Sequence, residues 1–216
     1  MTDTTVITET TVITETTAIA APVTVSRPRP PVAAKPKPGA WAVELDRLDL
    51  PVADVPTSDP RVVRAVDLIA REAELLDRKD YKSWQDLYTP ESLYIIPIDP
   101  EETDFANTLN MVYDDAKMRA LRVTRMSEGY AIAAVDSAKT VRTLGRVVPA
   151  SVTDTVVALR AAQTLIAYKR GRHDIWAANV DYTIHLGASP AQDRIGGKVV
   201  RLIDGADSVP AAGFLL

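Results

Sequence analysis

The chain has no cysteine and only two histidines and nine glycines in 216 residues, and each shortage removes a class of chemistry. Without cysteine there is no disulfide, no zinc–thiolate site, no thiol nucleophile and no iron–sulfur centre. Redox chemistry near this protein must belong to another chain. The histidines, His173 and His185, are twelve positions apart; on one strand they would share a face but lie ~40 Å apart at ~3.3 Å per residue. They cannot share a mononuclear metal within one chain, although pairing with another chain's ligands stays open. The few glycines form no Walker loop, dinucleotide fingerprint or G-x-S-x-G elbow, and no EF-hand loop is present. Gly196-Gly197 reads as hairpin chemistry. A surplus of base is also missing: 25 Lys and Arg stand against 29 Asp and Glu, interspersed, so no basic face exists to neutralise nucleic-acid phosphates. No apolar run reaches the ~18 residues of a membrane span, and Asp3 and Glu9 stand where a signal peptide would be basic and then apolar. The expectation is a cytoplasmic protein that binds neither nucleic acid nor membrane.

What is present divides at about residue 58. Residues 4–19 read TTVITETTVITETTAI, a β-prone hexad repeat with too little around it to build a core. Residues 22–38, PVTVSRPRPPVAAKPKP, lose backbone donors to proline and favour an extended linker. Residues 1–58 are therefore expected to be a low-complexity arm, disordered or docked on a partner, and residues 59–216 a single domain.

Within that domain Asp59 suits an N-cap and Pro60 the first helical turn. Val62, Val66, Ile69, Ala73 and Leu76 then recur at helical spacing, with Arg64, Asp67, Arg71 and Glu74 on a solvated face. A short helix from Asp80 stacks Tyr81, Trp84 and Tyr88 beside Leu87, and residues 93–98 read as the first strand. Residues 99–110 form an acidic loop. Asp114 or Asp115 opens a third helix carrying Met111, Met118, Leu121, Val123 and Met126, with Gly129 as its stop. Strands follow at 140–152, interrupted at Pro149, and at 154–168, 173–186 and 198–203, with KRGR at 169–172 as a tight turn and 187–197 as a longer hairpin loop. Helices first and antiparallel strands afterwards predict an α+β fold with the helices on one face of a curved sheet.

Candidates for chemistry are few. Acid–base catalysis in such a fold needs an inward carboxylate with a histidine or tyrosine beside it, and Tyr81, Asp86, Tyr94, Asp181 and His173 are available. Nothing in their spacing fixes a role. Arg119, Arg122, Arg125, Arg142 and Arg146 could pair with Asp114 and Asp115, or with a partner subunit through bidentate contacts.

The order of segments carries a resemblance. EAELLDRKDYKSWQDLYTPESLYIIP, an acidic loop, YDDAKMRALRVTRM, KTVRTLGRVV and LIAYKRGRHDIWAANVDYTIHL together resemble the small (β) subunit of aromatic-ring-hydroxylating (Rieske non-haem iron) dioxygenases, over about residues 60–216. Thr143 departs from the histidine many members carry. The resemblance implies a cone-shaped fold like that of nuclear transport factor 2 (NTF2) and SnoaL, with N-terminal helices on a strongly curved antiparallel or mixed sheet. It implies a structural role without a catalytic, metal or cofactor site in this chain, bracing large (α) subunits that hold a Rieske 2Fe-2S cluster and a mononuclear non-haem iron. A reductase or ferredoxin would act on the large subunit, and the assembly would be an α3β3 hetero-hexamer oxygenating an aromatic compound such as an aromatic acid. Arg119, Arg122, Arg125, Arg142, Trp176 and Phe214 are the interface candidates. Two alternatives stay open: a stand-alone lyase or isomerase with an inward carboxylate base, its pocket drawn from Tyr81, Asp86, Tyr94 and His173, and a binding or dimerisation module. The lyase predicts an open, polar cone, whereas filling by Trp84 and Met118 would count against it.

Overall fold

The computed structural model describes residues 53–127, 138–207 and 213–216, all within one compact unit. The hexad repeat, the proline-rich linker and Gly129 lie outside the described residues.

Asp59 caps α1 (Pro60–Asp77), its carboxylate accepting the Arg61 amide at 2.9 Å, with proline in the first turn. Val62, Ala65, Leu68, Ile69, Glu72 and Leu76 form its buried stripe, so a carboxylate sits among aliphatic side chains. The helix closes in a Schellman arrangement: the Asp80 amide reaches Leu75 O at 2.9 Å and the Lys79 amide reaches Leu76 O at 3.1 Å. Lys79 holds the left-handed position, at φ 59°, where glycine is the usual residue. Asp80 then caps α2 (Tyr81–Gln85) through the Ser83 amide. Tyr88, expected on that helix, instead begins β1 (Tyr88–Pro97).

The expected third helix is shorter than its apolar pattern suggested. Met111 lies in β2 (Asn110–Asp114), which pairs antiparallel with β1, and α3 (Ala116–Ser127) starts only where the Asp115 carboxylate accepts the Met118 amide at 2.8 Å. The remaining strands are β3 (Lys139–Val152), β4 (Val156–Lys169), β5 (Arg172–His185) and β6 (Arg194–Leu202). Arg170 and Gly171, at φ 51° and 82°, make the β4–β5 connection a tight hairpin, as KRGR suggested. Gly196 and Gly197 lie inside β6 rather than in a turn. A Cβ on Gly196 would meet His185 Nε2 at 2.5 Å, so glycine is there to let the ring pack over the strand.

The six strands run β2-β1-β6-β5-β4-β3, antiparallel except for β1 against β6. Pro149 is tolerated because β3 is an edge strand with register shifts on either side of it. That edge is also covered: Asp77 accepts the Arg142 amide at 2.8 Å, and the Ala53 amide donates to Pro149 O at 2.9 Å. The three helices pack on one face of the curved mixed sheet, the α+β arrangement expected, and the main core lies between them. A smaller cluster of Leu93, Ile95, Phe105 and Val199 lies on the opposite face, beneath the acidic loop. Arg201 fastens that loop by donating to Pro100 O and Glu102 O, its guanidinium 5.2 Å from the Phe105 ring.

Candidate functional site

The inner face of the sheet holds a polar cluster that the sequence reading passed over. Glu72 is 1% exposed and receives four donors: Trp84 Nε1 at 3.0 Å, Tyr88 OH at 2.7 Å and Lys198 Nζ at 3.0 Å on Oε1, and Tyr182 OH at 2.8 Å on Oε2. Lys198, 0% exposed, also donates to Leu216 O at 3.1 Å and lies 5.4 Å from the Tyr182 ring centroid. Tyr94 OH donates to the same Leu216 oxygen at 2.9 Å and accepts the Leu216 amide at 3.1 Å. Arg142, buried, reaches Leu215 O and Asp77.

Each partner compensates the cost of burying the next. Burial pushes the Glu72 carboxyl upward, but the Lys198 charge and the hydrogen bonds of Tyr88, Trp84 and Lys198 outweigh it, and the net direction is downward. Burial lowers Lys198, against the pull of Glu72. The phenols of Tyr88 and Tyr182 are raised well above the ordinary tyrosine range, first by burial and then by the Glu72 charge, which keeps them as neutral donors. Glu72 is thus an ionised carboxylate with its acceptor sites occupied, and Trp84 packs edge-on to Tyr88 and Tyr94 at 5.0 and 5.8 Å.

Gly213–Leu216 complete this interior. Phe214, Leu215 and Leu216 are 8%, 5% and 5% exposed, and Phe214 packs edge-on to Trp176 at 5.6 Å between centroids. Among the described residues, Trp84, the Glu72 cluster and the Phe214, Leu215 and Leu216 side chains pack beneath the helices, whereas Met118 is exposed.

The four residues considered for a pocket do not converge. Tyr81 is buried with its hydroxyl unpartnered among the described residues, Asp86 is an exposed C-cap of α2, and Tyr94 is engaged by Leu216. His173 is exposed at the β4–β5 hairpin, its ring 4.8 Å from Tyr168 on the face away from the helices. Asp181 faces that side too, paired with Arg201 at 2.8 Å.

The interface candidates are placed as follows. Arg119 is buried, donating to Ser92 O and Thr89 O, and Arg122 pairs with Asp114. Arg142, Trp176 and Phe214 belong to the interior already described, while Arg125 is exposed at the end of α3. Arg64, expected on a solvated face, is clamped on the buried Asp193 and on Gly187 O at 2.8 Å, holding the β5–β6 connection to α1.

A feature no motif announced lies on the outer face. Val141, Ile166 and Ile175 are directly paired across β3, β4 and β5, each pointing away from the helices, at 65%, 43% and 68% exposure. Tyr168 extends the patch one row toward the hairpin. Ile203, 68% exposed and bonded through its amide to Ala177 O, extends it the other way. Strand alternation contained the signal: an edge-to-centre run of three strands with aliphatics on both faces leaves one face exposed among the described residues. Among the described residues no group of three or more His, Asp or Glu is placed to hold a metal ion, and no helix is long and apolar enough to cross a membrane.

A family model described as ring hydroxylating beta subunit matches residues 71–203. Among solved structures, the beta subunit of the benzoate 1,2-dioxygenase from Burkholderia mallei aligns with 22% identity and a TM-score of 0.54, over 68% of this chain and 93% of that one. Naphthalene 1,2-dioxygenase with indole bound in its active site aligns with 18% identity and a TM-score of 0.59, over 76% of this chain and 88% of that one. At these identities the structural likeness establishes a shared fold. No curated protein sequence matches the chain.

Proposed function

The chain belongs to the ring-hydroxylating dioxygenase beta-subunit family, and from that premise we propose that it is the non-catalytic brace of a multicomponent dioxygenase. In this reading it holds large subunits, which carry the Rieske cluster and the mononuclear iron, in a cytoplasmic α3β3 hetero-hexamer. A reductase or ferredoxin delivers electrons to the large subunit. The substrate is an aromatic compound, with an aromatic acid as the class to try first.

The observation that carries the proposal is the exposed aliphatic row Val141–Ile166–Ile175 with Tyr168 and Ile203. Each such side chain is already partly covered, so burying the rest against another subunit contributes ~1–2 kcal/mol apiece, which an isolated chain forgoes. Support also comes from the inner face, where Glu72, Lys198 and Tyr94 are bonded within the chain and offer no free base or acid. A lyase or isomerase would need Tyr94 and His173 to face one open space, and the two point to opposite sides of the sheet.

The proposal is tested by co-expressing the chain with a Rieske-type large subunit, measuring the mass of the purified complex and assaying its iron. A complex larger than either chain, with iron present only when the large subunit is, is the expected result. A chain that elutes alone beside a folded large subunit would overturn it.

A further inference from the structure

The four residues Gly213–Leu216 belong to no helix or strand, yet the main-chain oxygens of Leu215 and Leu216 are held by three side chains, each at most 9% exposed. Tyr94 OH and Lys198 Nζ both donate to Leu216 O, and Arg142 donates to Leu215 O. Two cationic donors and a phenol converging on oxygens of consecutive residues are a donor set that can hold a carboxylate. Beside them the Phe214 ring lies against Trp176. The segment thus presents an aromatic body and a polar end to a preformed aromatic wall and a preformed donor set.

We propose that this inner end of the cone is a binding site for a small aryl-alkyl carboxylic acid, filled in this structure by Gly213–Leu216. The ring takes the place of Phe214 and the carboxylate that of the Leu215 and Leu216 oxygens. Glu72 does not compete for the space, because its four donors remain in place without the segment. It holds Lys198 at the site. The facing charges are Glu72, Asp77 and Asp114 against Lys198, Arg142 and Arg122, already balanced in pairs, so the acid adds one negative charge and affinity is modest, with a Kd of about 1 mM corresponding to ~4 kcal/mol. Once the segment departs, Tyr94 OH loses its acceptor and Lys198 and Arg142 each lose one of their acceptors while keeping Glu72 and Asp77, and those vacated positions are the driving force for capture.

The test compares the full chain with a chain ended after Ala212, titrated with 3-phenylpropanoate and with 3-phenylpropan-1-ol, reading tryptophan fluorescence and calorimetric heat. The shortened chain is expected to bind the acid at least tenfold more tightly than the full chain does, and more tightly than it binds the alcohol. Adding Tyr94→Phe should weaken acid binding by about fivefold. A second variant, the full chain carrying Phe214→Ala, should also gain acid binding, which keeps the test decisive where shortening prevents folding. Absence of acid binding by both variants overturns the proposal, as does equal binding of acid and alcohol.

Discussion

The two faces of one sheet follow opposite rules. On the inner face, charged and phenolic groups are buried and bonded to one another: Glu72 has four donors, and Lys198 has a carboxylate, a main-chain oxygen and two aromatic faces. On the outer face, Val141, Ile166 and Ile175 of β3–β5 are 65%, 43% and 68% exposed, and among the described residues nothing packs over them. A catalytic cone would invert this, with polar groups free inside and an inert exterior. The polar groups of the inner face are satisfied within the chain, whereas the outer face leaves aliphatic area that a protein surface could cover.

The inner face breaks with the largest effect. Lys198→Met leaves Glu72 ionised, buried and short of its cation, and should cost ~3–5 kcal/mol in urea unfolding. The double variant Glu72→Gln/Lys198→Met should cost less than Lys198→Met alone. A double variant at least as damaging as the single would show that the pair matters for shape rather than for charge. Trp84→Ala removes a fully buried ring that also bonds Glu72, and ~3–5 kcal/mol is expected in the same measurement.

Acid sharpens the comparison at smaller cost. Glu72 and Asp59 both have carboxyls held below their ordinary values, Asp59 at about 2 through its bonds with Arg61, and the unfolded chain takes up those protons first as pH falls. Their contribution is complete above the unfolded carboxylate range and is lost as pH drops through the folded values. The urea midpoint should therefore hold steady above pH ~5 and fall progressively below it. Asp59→Ala should make that fall shallower. The smallest expected change is a gain: Lys79→Gly relieves a left-handed φ at the end of α1 and should stabilise by ~1 kcal/mol, visible as a raised Tm.

Local chemistry was legible in the sequence, whereas long-range pairing was not. Asp59-Pro60 fixed the start of α1, and KRGR fixed the β4–β5 hairpin, because a cap and a tight turn are decided by neighbouring residues. The five-residue β2 escaped, because Asn110 closes the acidic loop in sequence and Met111 lies at helical spacing from Met118; only its partner β1 makes the segment a strand. Glu72 escaped because the stripe was traced through Val66 and Ala73, both only partly buried, instead of Ala65, Leu68 and Glu72. Arg64 and Glu72 look alike in sequence as charges on one helix; their partners Asp193 and Lys198 are more than a hundred positions away. The outer patch was encoded in strand alternation, but its continuity across three strands depends on a register no single strand reveals.

The proposed bracing role rests on the outer sheet face. Its most direct test is the mass of the complex formed with a Rieske-type large subunit when this chain carries Ile166→Asp and Ile175→Asp. Both positions are exposed, so the variant alone should still fold, at a cost of about 1–2 kcal/mol because the two aspartates face each other across β4 and β5. Its hetero-oligomer is expected to be lost or to fall to separate subunits at concentrations where the parent complex is intact. An undiminished complex from a chain with two aspartates in the centre of that face would contradict it.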